Sequence, residues 1–349
     1  MGNGIEIGIY TLGDIGMNPH TKSTMSMQQR LKEIIEMAKL ADDAGLDIFG
    51  VGEHHRLDYV ASSPAVVLSA IAQITKNIKL TSATSVLGTL DPVRLFEDFA
   101  TVDLLSNGRA EVIAGRGAFI ESFPLFGYDL DDYDALFEEN IKLFQQLNKE
   151  EIVSWQGQFR SNLTNAMISP RPVQEKLPLW VGVGGTPESA IRAGRLGTGM
   201  ALAILGGDPL RFKPLVDLYR QAGLEAGHTS NSLKVGVTGH TYIANESQQA
   251  KNEFYPYYSN YWTYVNKQRG METRISRTEF EQMTRPETAL FVGSPAEIIE
   301  KVLYQYELFG HQRFIAQMDI GGQSLKEIAK GIELLASKVA PVVRRETSK

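Results

Sequence analysis

The sequence predicts an α/β protein folded as a (β/α)8 TIM barrel, with insertions at the C-terminal face of its strands. Three observations predict it. Short β-branched runs alternate with longer amphipathic ones along the 349 residues, which implies parallel strands covered by helices. The alternation completes about eight units, the number that closes a barrel. No hairpin-rich block or break in composition divides the chain, so residues 1–349 read as one domain. Periodicity alone does not distinguish closure from a doubly wound open sheet.

The elements follow in order. "IEIGIYTL" reads as a strand and "SMQQRLKEIIEMAKLADDAG" as a helix, in which Leu31, Ile34, Ile35, Ala38 and Ala41 recur at helical spacing and Gly45 ends the run. "LDIFGVGE" is a strand, "PAVVLSAIAQIT" a helix, "NIKLTSATSVL" a strand and "PVRLFEDFATVDLLSNG" a helix. "RAEVIAGRG" is a strand, followed by a helix over residues 131–148. Then come the strand "LPLWVGVGG" and the helix "PESAIRAGRLG". Further strands fit "GMALAIL", "LKVGVTGHTYIA" and "RFIAQMDIGG", and helices fit "SPAEIIEKVLYQYELFG" and "SLKEIAKGIELLASKVAPVV".

Two stretches interrupt this rhythm. Residues 155–177 are too polar and Pro-rich for a helix and read as an excursion before a strand. Residues 246–286 are longer and contain "FYPYYSNYWTYVNKQRGMETR". An insertion of that length after a strand serves either as a mobile active-site lid or as a surface helix pair whose tyrosines pack downward.

Composition excludes several classes of function. Basic residues number 35 against 41 acidic ones, a net charge of −6, so no basic footprint for nucleic acid or anionic membrane exists. The absence of cysteine rules out disulfides, thiolate metal sites and cysteine nucleophiles. No run approaches the roughly 20 apolar residues of a membrane span. The first residues lack the basic segment of a signal peptide and carry Glu6 within their short apolar run. The expectation is a cytoplasmic protein.

"IFGVGEHHRLDYV" places two of the six histidines side by side. Side chains alternate along a strand. Phe49 and Val51 suit the helix-covered outside, so Gly50 and Gly52 face the interior and leave room for a flat ligand. Extending the alternation turns His54 inward at the C-terminal end, where barrel enzymes build their sites. His55 then points away. Metal ligands on one strand alternate, so an adjacent pair argues against a metal site and none is expected. A hydrogen-bonded histidine without a chemical role is the competing reading.

A second constellation is "LWVGVGGTPESAIRAGRLG", a strand running through glycines into a helix. Thr186 suits the N-cap and Pro187 the first helical position. The amides of Gly184 and Gly185, with the first helical turn, make a nest for an anion. Ser189 stands where a capping box carries Glu, which leaves its hydroxyl free for a phosphate. "GVGGTP" lacks the third glycine of a dinucleotide fingerprint, so a mononucleotide phosphate fits better. In "IAGRGAF", Arg116 lies just past a strand end, facing the same mouth, where it can pair with phosphate or a polar ring edge.

Together these segments resemble the bacterial luciferase superfamily, the luciferase-like flavin-dependent monooxygenases. The resemblance runs over about residues 4–340 and is most specific in "NIKLTSATSVLGTLDPVRLFEDFATVDLLSNGRAEVIAGRG". "EHHRLDY", "FPLFGYDLDDYDALFEE", "PRPVQEKLPLWVGVGGTPESAIRAGRLG" and "VGSPAEIIEKV" add to it. It implies a barrel, usually a homodimer, that binds FMN or a related flavin at its C-terminal mouth. By residue matching, His54 is the active-site histidine and Glu53 the flavin-site acid. Ala83 and Thr84 form a cis peptide under the flavin ring, and Tyr10 touches that ring through its backbone. Arg116 helps hold the flavin, and the stretch Val183, Gly184, Gly185 with Ser189 cradles its phosphate. Two positions depart from bacterial luciferase. Asp134 replaces a second phosphate-binding arginine, and Gly115, at the flavin site, replaces a reactive cysteine, so light emission does not follow.

The activity this implies is oxygenation of a small organic substrate with molecular oxygen and reduced FMN from a separate flavin reductase. His54 would act as general acid or base, and the apolar mouth would exclude water. The alternatives are hydride transfer with a deazaflavin coenzyme and a non-catalytic flavin-binding protein.

Overall fold

A computed structural model describes residues 4–117, 119–268, 271 and 274–348. Eight parallel strands form the barrel among these residues. They are β1 (Glu6–Thr11), β2 (Ile48–Val51), β3 (Lys79–Ser82), β4 (Ala110–Gly115), β5 (Leu179–Val183), β6 (Gly199–Ala203), β7 (Val235–Ile243) and β8 (Arg313–Gln317). Each strand pairs in parallel with the next, and β8 pairs with β1. The sheet is therefore closed, which removes its edges and decides between the two arrangements the periodicity allowed.

Strand alternation divides the core into two parts. Ile7, Ile9, Phe49, Val51, Val112 and Phe314 point outward into the shell between strands and helices. Tyr10, Ile48, Ile113, Trp180, Ala201 and Ile315 form a separate cluster inside the barrel. Below that cluster the interior is charged. Arg313 at the start of β8 pairs with Glu6 of β1 at 2.7 Å and with Glu111 of β4 at 2.6 Å. Lys79 of β3 joins them, 3.5 Å from Glu111. The Arg313 guanidinium also lies 4.3 Å from the centre of a Trp180 ring.

Two parts of the chain differ from the sequence expectation, and a third takes one of the two forms it allowed. The helix Lys213–Glu225 had no counterpart in it, although Leu215, Val216, Tyr219 and Ala222 are spaced for one buried helical face. The polar stretch before β5 is an antiparallel hairpin, Ile152–Trp155 against Leu163–Met167. Its turn is held by Glu139, whose carboxylate accepts hydrogen bonds from the amides of Gln158, Phe159 and Arg160. The 246–286 stretch contains the helices Ser247–Gln268 and Arg277–Met283. Phe254, Tyr257, Tyr258 and Tyr261 are buried beneath it. Residues 269–270 and 272–273 of this stretch lie outside the described residues. No helix among the described residues is long and apolar enough to cross a membrane.

Candidate active site

A cavity of about 350 Å³ opens at the C-terminal mouth of the barrel, under Tyr261, Trp262 and Val265 of the long helix. That volume lies within the range of small-molecule sites. Tyr10, Glu53, His54, Ala83, Thr84, Gly115, Arg116, Val183, Gly184 and Gly185 all border it. Sequence positions more than 170 residues apart are thus brought to one place by strand order.

On one side, β3 ends at Ser82 and the Ala83–Thr84 peptide is cis, as the resemblance implied. This turn leans into the barrel because its neighbours are glycines. A side chain on Gly115 would strike the Thr84 hydroxyl, and one on Gly182 would approach Thr84 Cγ2 to 3.0 Å. Gly50 of β2 and Gly52 just past its end act in the same way and not as expected. The space inside Gly50 is filled by Tyr10 Cβ at 2.9 Å and Ala83 Cβ at 3.0 Å, and Gly52 abuts the Ala83 carbonyl. They admit the turn and leave no vacant slot for a ligand.

The strand also stops short of the histidines. β2 ends at Val51, so alternation does not extend to residue 54. His54 and His55 both border the cavity, with side chains 10% and 9% exposed. Their partners separate them. His55 Nε2 lies 2.8 Å from Glu53 Oε1, while Glu53 Oε2 accepts from the Val86 amide at 2.8 Å. His55 is therefore held by a buried, anchored carboxylate. His54 stacks on Tyr59, with ring centres 4.1 Å apart, and its Nδ1 is 3.4 Å from Glu121 Oε1. Partial burial works to raise the Glu121 carboxyl, but the His54 contact and backbone amides outweigh it and leave it below the usual range.

The glycine turn expected to cradle an anion lies where β5 runs into the helix Pro187–Leu196. Nothing lies within 4 Å of where side chains on Gly184 and Gly185 would sit. Val183 contributes only through its main chain, because its side chain packs in the outer shell. Ser189 is not free, contrary to expectation. Its hydroxyl accepts from Arg116 Nη2 at 2.7 Å and lies 2.6 Å from the Thr186 hydroxyl, which makes no capping bond to the helix. Asp134 stands between two arginines, 2.6 Å from Arg116 Nη1 and 3.0 Å from Arg192 Nη2. Burial works to raise its carboxyl, but the two guanidinium groups hold it below the ordinary value. Arg192 Nη1 is buried without a partner.

Sequence reasoning missed Glu121, Arg192, His240 and Gln317. The last two also border the cavity, on β7 and β8. Burial pushes the His240 imidazole down to about 3. Alternation within "VGVTGHTYI" and "RFIAQ" would have found them, since His240 and Gln317 continue the inward rows of Thr238 and Ile315. Among the described residues, no group of three His, Asp or Glu side chains is placed to hold a metal ion.

A closed parallel barrel with a side-chain-lined cavity at its C-terminal mouth has the architecture of an α/β-barrel enzyme. The chain belongs to the luciferase-like monooxygenases, whose family model matches residues 5–312. It is accordingly an oxidoreductase. It is 24% identical to the oxygenase component of the flavin-dependent trigonelline monooxygenase of Acinetobacter baylyi, over 90% of this chain and 91% of that one. Among solved structures it is similar to the monooxygenase RslO1 of Streptomyces bottropensis, with a TM-score of 0.82, 25% identity, and 97% and 99% of the two chains covered. It also shares its fold with the oxygenating constituent of 3,6-diketocamphane monooxygenase from Pseudomonas putida, solved with FMN. There the TM-score is 0.77 and the identity 20%, over 97% and 98% of the chains.

Proposed function

We propose that the chain is the oxygenase half of a two-component monooxygenase. It would use reduced FMN from a separate reductase and molecular oxygen to oxygenate a small organic substrate. The observation that carries this reading is an open anion cradle sharing one cavity with an apolar barrel mouth. The residues present fit the cofactor: a phosphate matches the vacant space at Gly184 and Gly185, the helix N-terminus and the Arg116–Ser189 pair. Arg192 supplies a second cation where Asp134 replaces one, and Asp134 must give way for phosphate to meet both arginines. Bound there, reduced flavin supplies the electrons that activate oxygen.

The protein's own part is binding, orientation and proton handling. Ala83 and Thr84 carry the flavin ring, with Tyr10 and Gly115 beside it. Leu12, Val86, Ile113 and the roof residues exclude water. His54 holds or passes a proton at the reacting edge, and Glu121 at Nδ1 orients it. Glu53 fixes His55 and the chain after Thr84. The reading includes one domain and a homodimer, which light scattering would test.

The deciding experiment combines FMN titration with oxygen uptake, using NADH and a general flavin reductase. Tight FMN binding with reductase-dependent uptake, quickened by substrate, is expected. Bound flavin without uptake would leave a flavin-binding protein, and preference for a deazaflavin would mean hydride transfer.

A further inference from the structure

We propose that the β7–β8 side of the mouth is a substrate subsite for a neutral, flat ring system bearing a hydroxyl or carbonyl oxygen. The inference rests on the flavin reading in one respect, the assignment of the β3–β5 side of the mouth to the cofactor.

His240 and Gln317 are register partners on adjacent strands, so their inward side chains lie side by side. Each residue is 1% exposed. His240 Nδ1, both polar atoms of the Gln317 amide and Trp262 Nε1 are buried without a hydrogen-bond partner. One such orphan group costs free energy, and native proteins contain few of them. Four on three neighbouring residues of a cavity wall form a recognition surface whose partner is a ligand.

Three features of the wall define that ligand. The surroundings of His240 are aromatic: the rings of Tyr258, Tyr261 and Trp262 approach it with centroids at 5.8, 5.8 and 6.3 Å. Tyr261 and Trp262 border the cavity themselves and offer flat apolar surface to a ring. The polar groups are mixed donors and acceptors. The Gln317 amide offers N–H and C=O, and a neutral imidazole offers one of each in either tautomer. A phenolic hydroxyl or ring carbonyl satisfies such a pair.

The wall is also uncharged. Burial keeps His240 neutral. Arg116 is the one Lys or Arg among the described residues lining the cavity, and it lies across the barrel, bonded to Asp134 and Ser189. The lining carboxylates, Glu53 and Glu121, face histidines on the β2 side. A charged substituent at the β7–β8 wall would lose its hydration without a counter-ion.

The test is a binding series in which one substituent changes, namely naphthalene, 2-naphthol and 2-naphthoate. Titrate each by calorimetry into flavin-free and FMN-loaded protein, alongside FMN itself. 2-Naphthol should bind about tenfold more tightly than either relative, the value of one or two satisfied buried hydrogen bonds. Gln317→Met and His240→Phe should each erase the preference over naphthalene while leaving FMN affinity within about twofold. Equal affinity for naphthalene and 2-naphthol, or tightest binding of 2-naphthoate, would overturn the proposal. So would a loss of FMN affinity in Gln317→Met as large as that for 2-naphthol, since the wall would then belong to the cofactor. If the variants do not fold, the wild-type series decides the matter. If the protein binds no FMN, the flavin reading fails, while the flavin-free series still reads the subsite.

Discussion

The two ends of the barrel interior are built from the same inward-facing rows and finish in opposite ways. At the N-terminal end, β1, β3, β4 and β8 carry Glu6, Lys79, Glu111 and Arg313 at or next to their first residues, and every charge finds an opposite one. Arg313 alone donates to both carboxylates, at 2.6 to 3.2 Å. At the mouth β7 and β8 carry the neutral polar side chains His240 and Gln317, whose Nδ1 and amide have no hydrogen-bond partner. A satisfied buried network specifies structure, whereas an unsatisfied one is tolerated where a ligand completes it. Stability and chemistry are thus assigned to different ends of one barrel.

Substitutions at each end should separate the two roles. The largest effect is expected at the mouth. His54→Ala should lower turnover by ~10²–10⁴-fold, the usual contribution of a positioned acid or base. Its unfolding transition should stay near wild type. His55→Ala should lose less turnover but disturb Glu53. Equal turnover losses in steady-state assays would undo the distinction between the two residues.

Next comes Arg313→Met at the closed end. It strands Glu6 and Glu111 with only Lys79 as counter-ion, and should cost about 3–5 kcal/mol in urea unfolding. FMN affinity in the remaining folded protein should not change. A cofactor defect at normal stability would break the comparison.

Acid should act through a histidine near each end. Burial depresses His240 to about 3 and His311, just before β8, to about 4, from an ordinary 6.5. The unfolded chain therefore takes up protons first as pH falls. The stability these groups contribute is complete above about pH 6.5 and is lost as pH falls through that value towards 4 and 3. Each adds up to about 1.4 kcal/mol per pH unit to the slope, so His311→Phe should flatten the curve measured by unfolding at stepped pH.

The smallest effect is expected at the cradle. Asp134→Asn should tighten FMN binding by up to about fivefold, because the pair it breaks is largely exposed. Arg192→Ala should weaken binding, and both changes should fade in high salt. An unchanged affinity in both variants would place the phosphate away from these arginines.

The contrast between the ends also marks what was legible beforehand. Regular β-then-α periodicity, repeated about eight times, was enough for parallel strands covered by helices, whereas closure of the sheet rests on the pairing of β8 with β1. The glycine turn before Pro187 and the position of Arg116 were legible as well, being local in the chain. Partners that meet only through the packing of separate units were not. Arg192 reaches Asp134 across 58 residues, and Glu121 reaches His54 across 67. The expected slot at Gly50 and Gly52 failed for a related reason: a missing side chain shows that something comes close, and here it is the Ala83–Thr84 turn. The hairpin at 152–167 escaped notice because its strands are short and largely exposed, so neither shows a clear buried-exposed alternation.

That turn ties together positions that are remote in the chain. Gly115 and Gly182 both yield to the Thr84 side chain, and Gly50 to Ala83. The first alanine placed at either residue 115 or residue 182 must displace Thr84, and the second then meets a turn that has already moved. The double variant should therefore cost less than the sum of the two single changes, and Thr84→Ser, which removes Cγ2, should restore most of the loss in Gly182→Ala. Substitutions here form a coupled set whose tolerance depends on the order in which they are acquired. A lineage that first trimmed Thr84 to serine would find position 182 open to change, while position 115 would still meet the hydroxyl that serine retains.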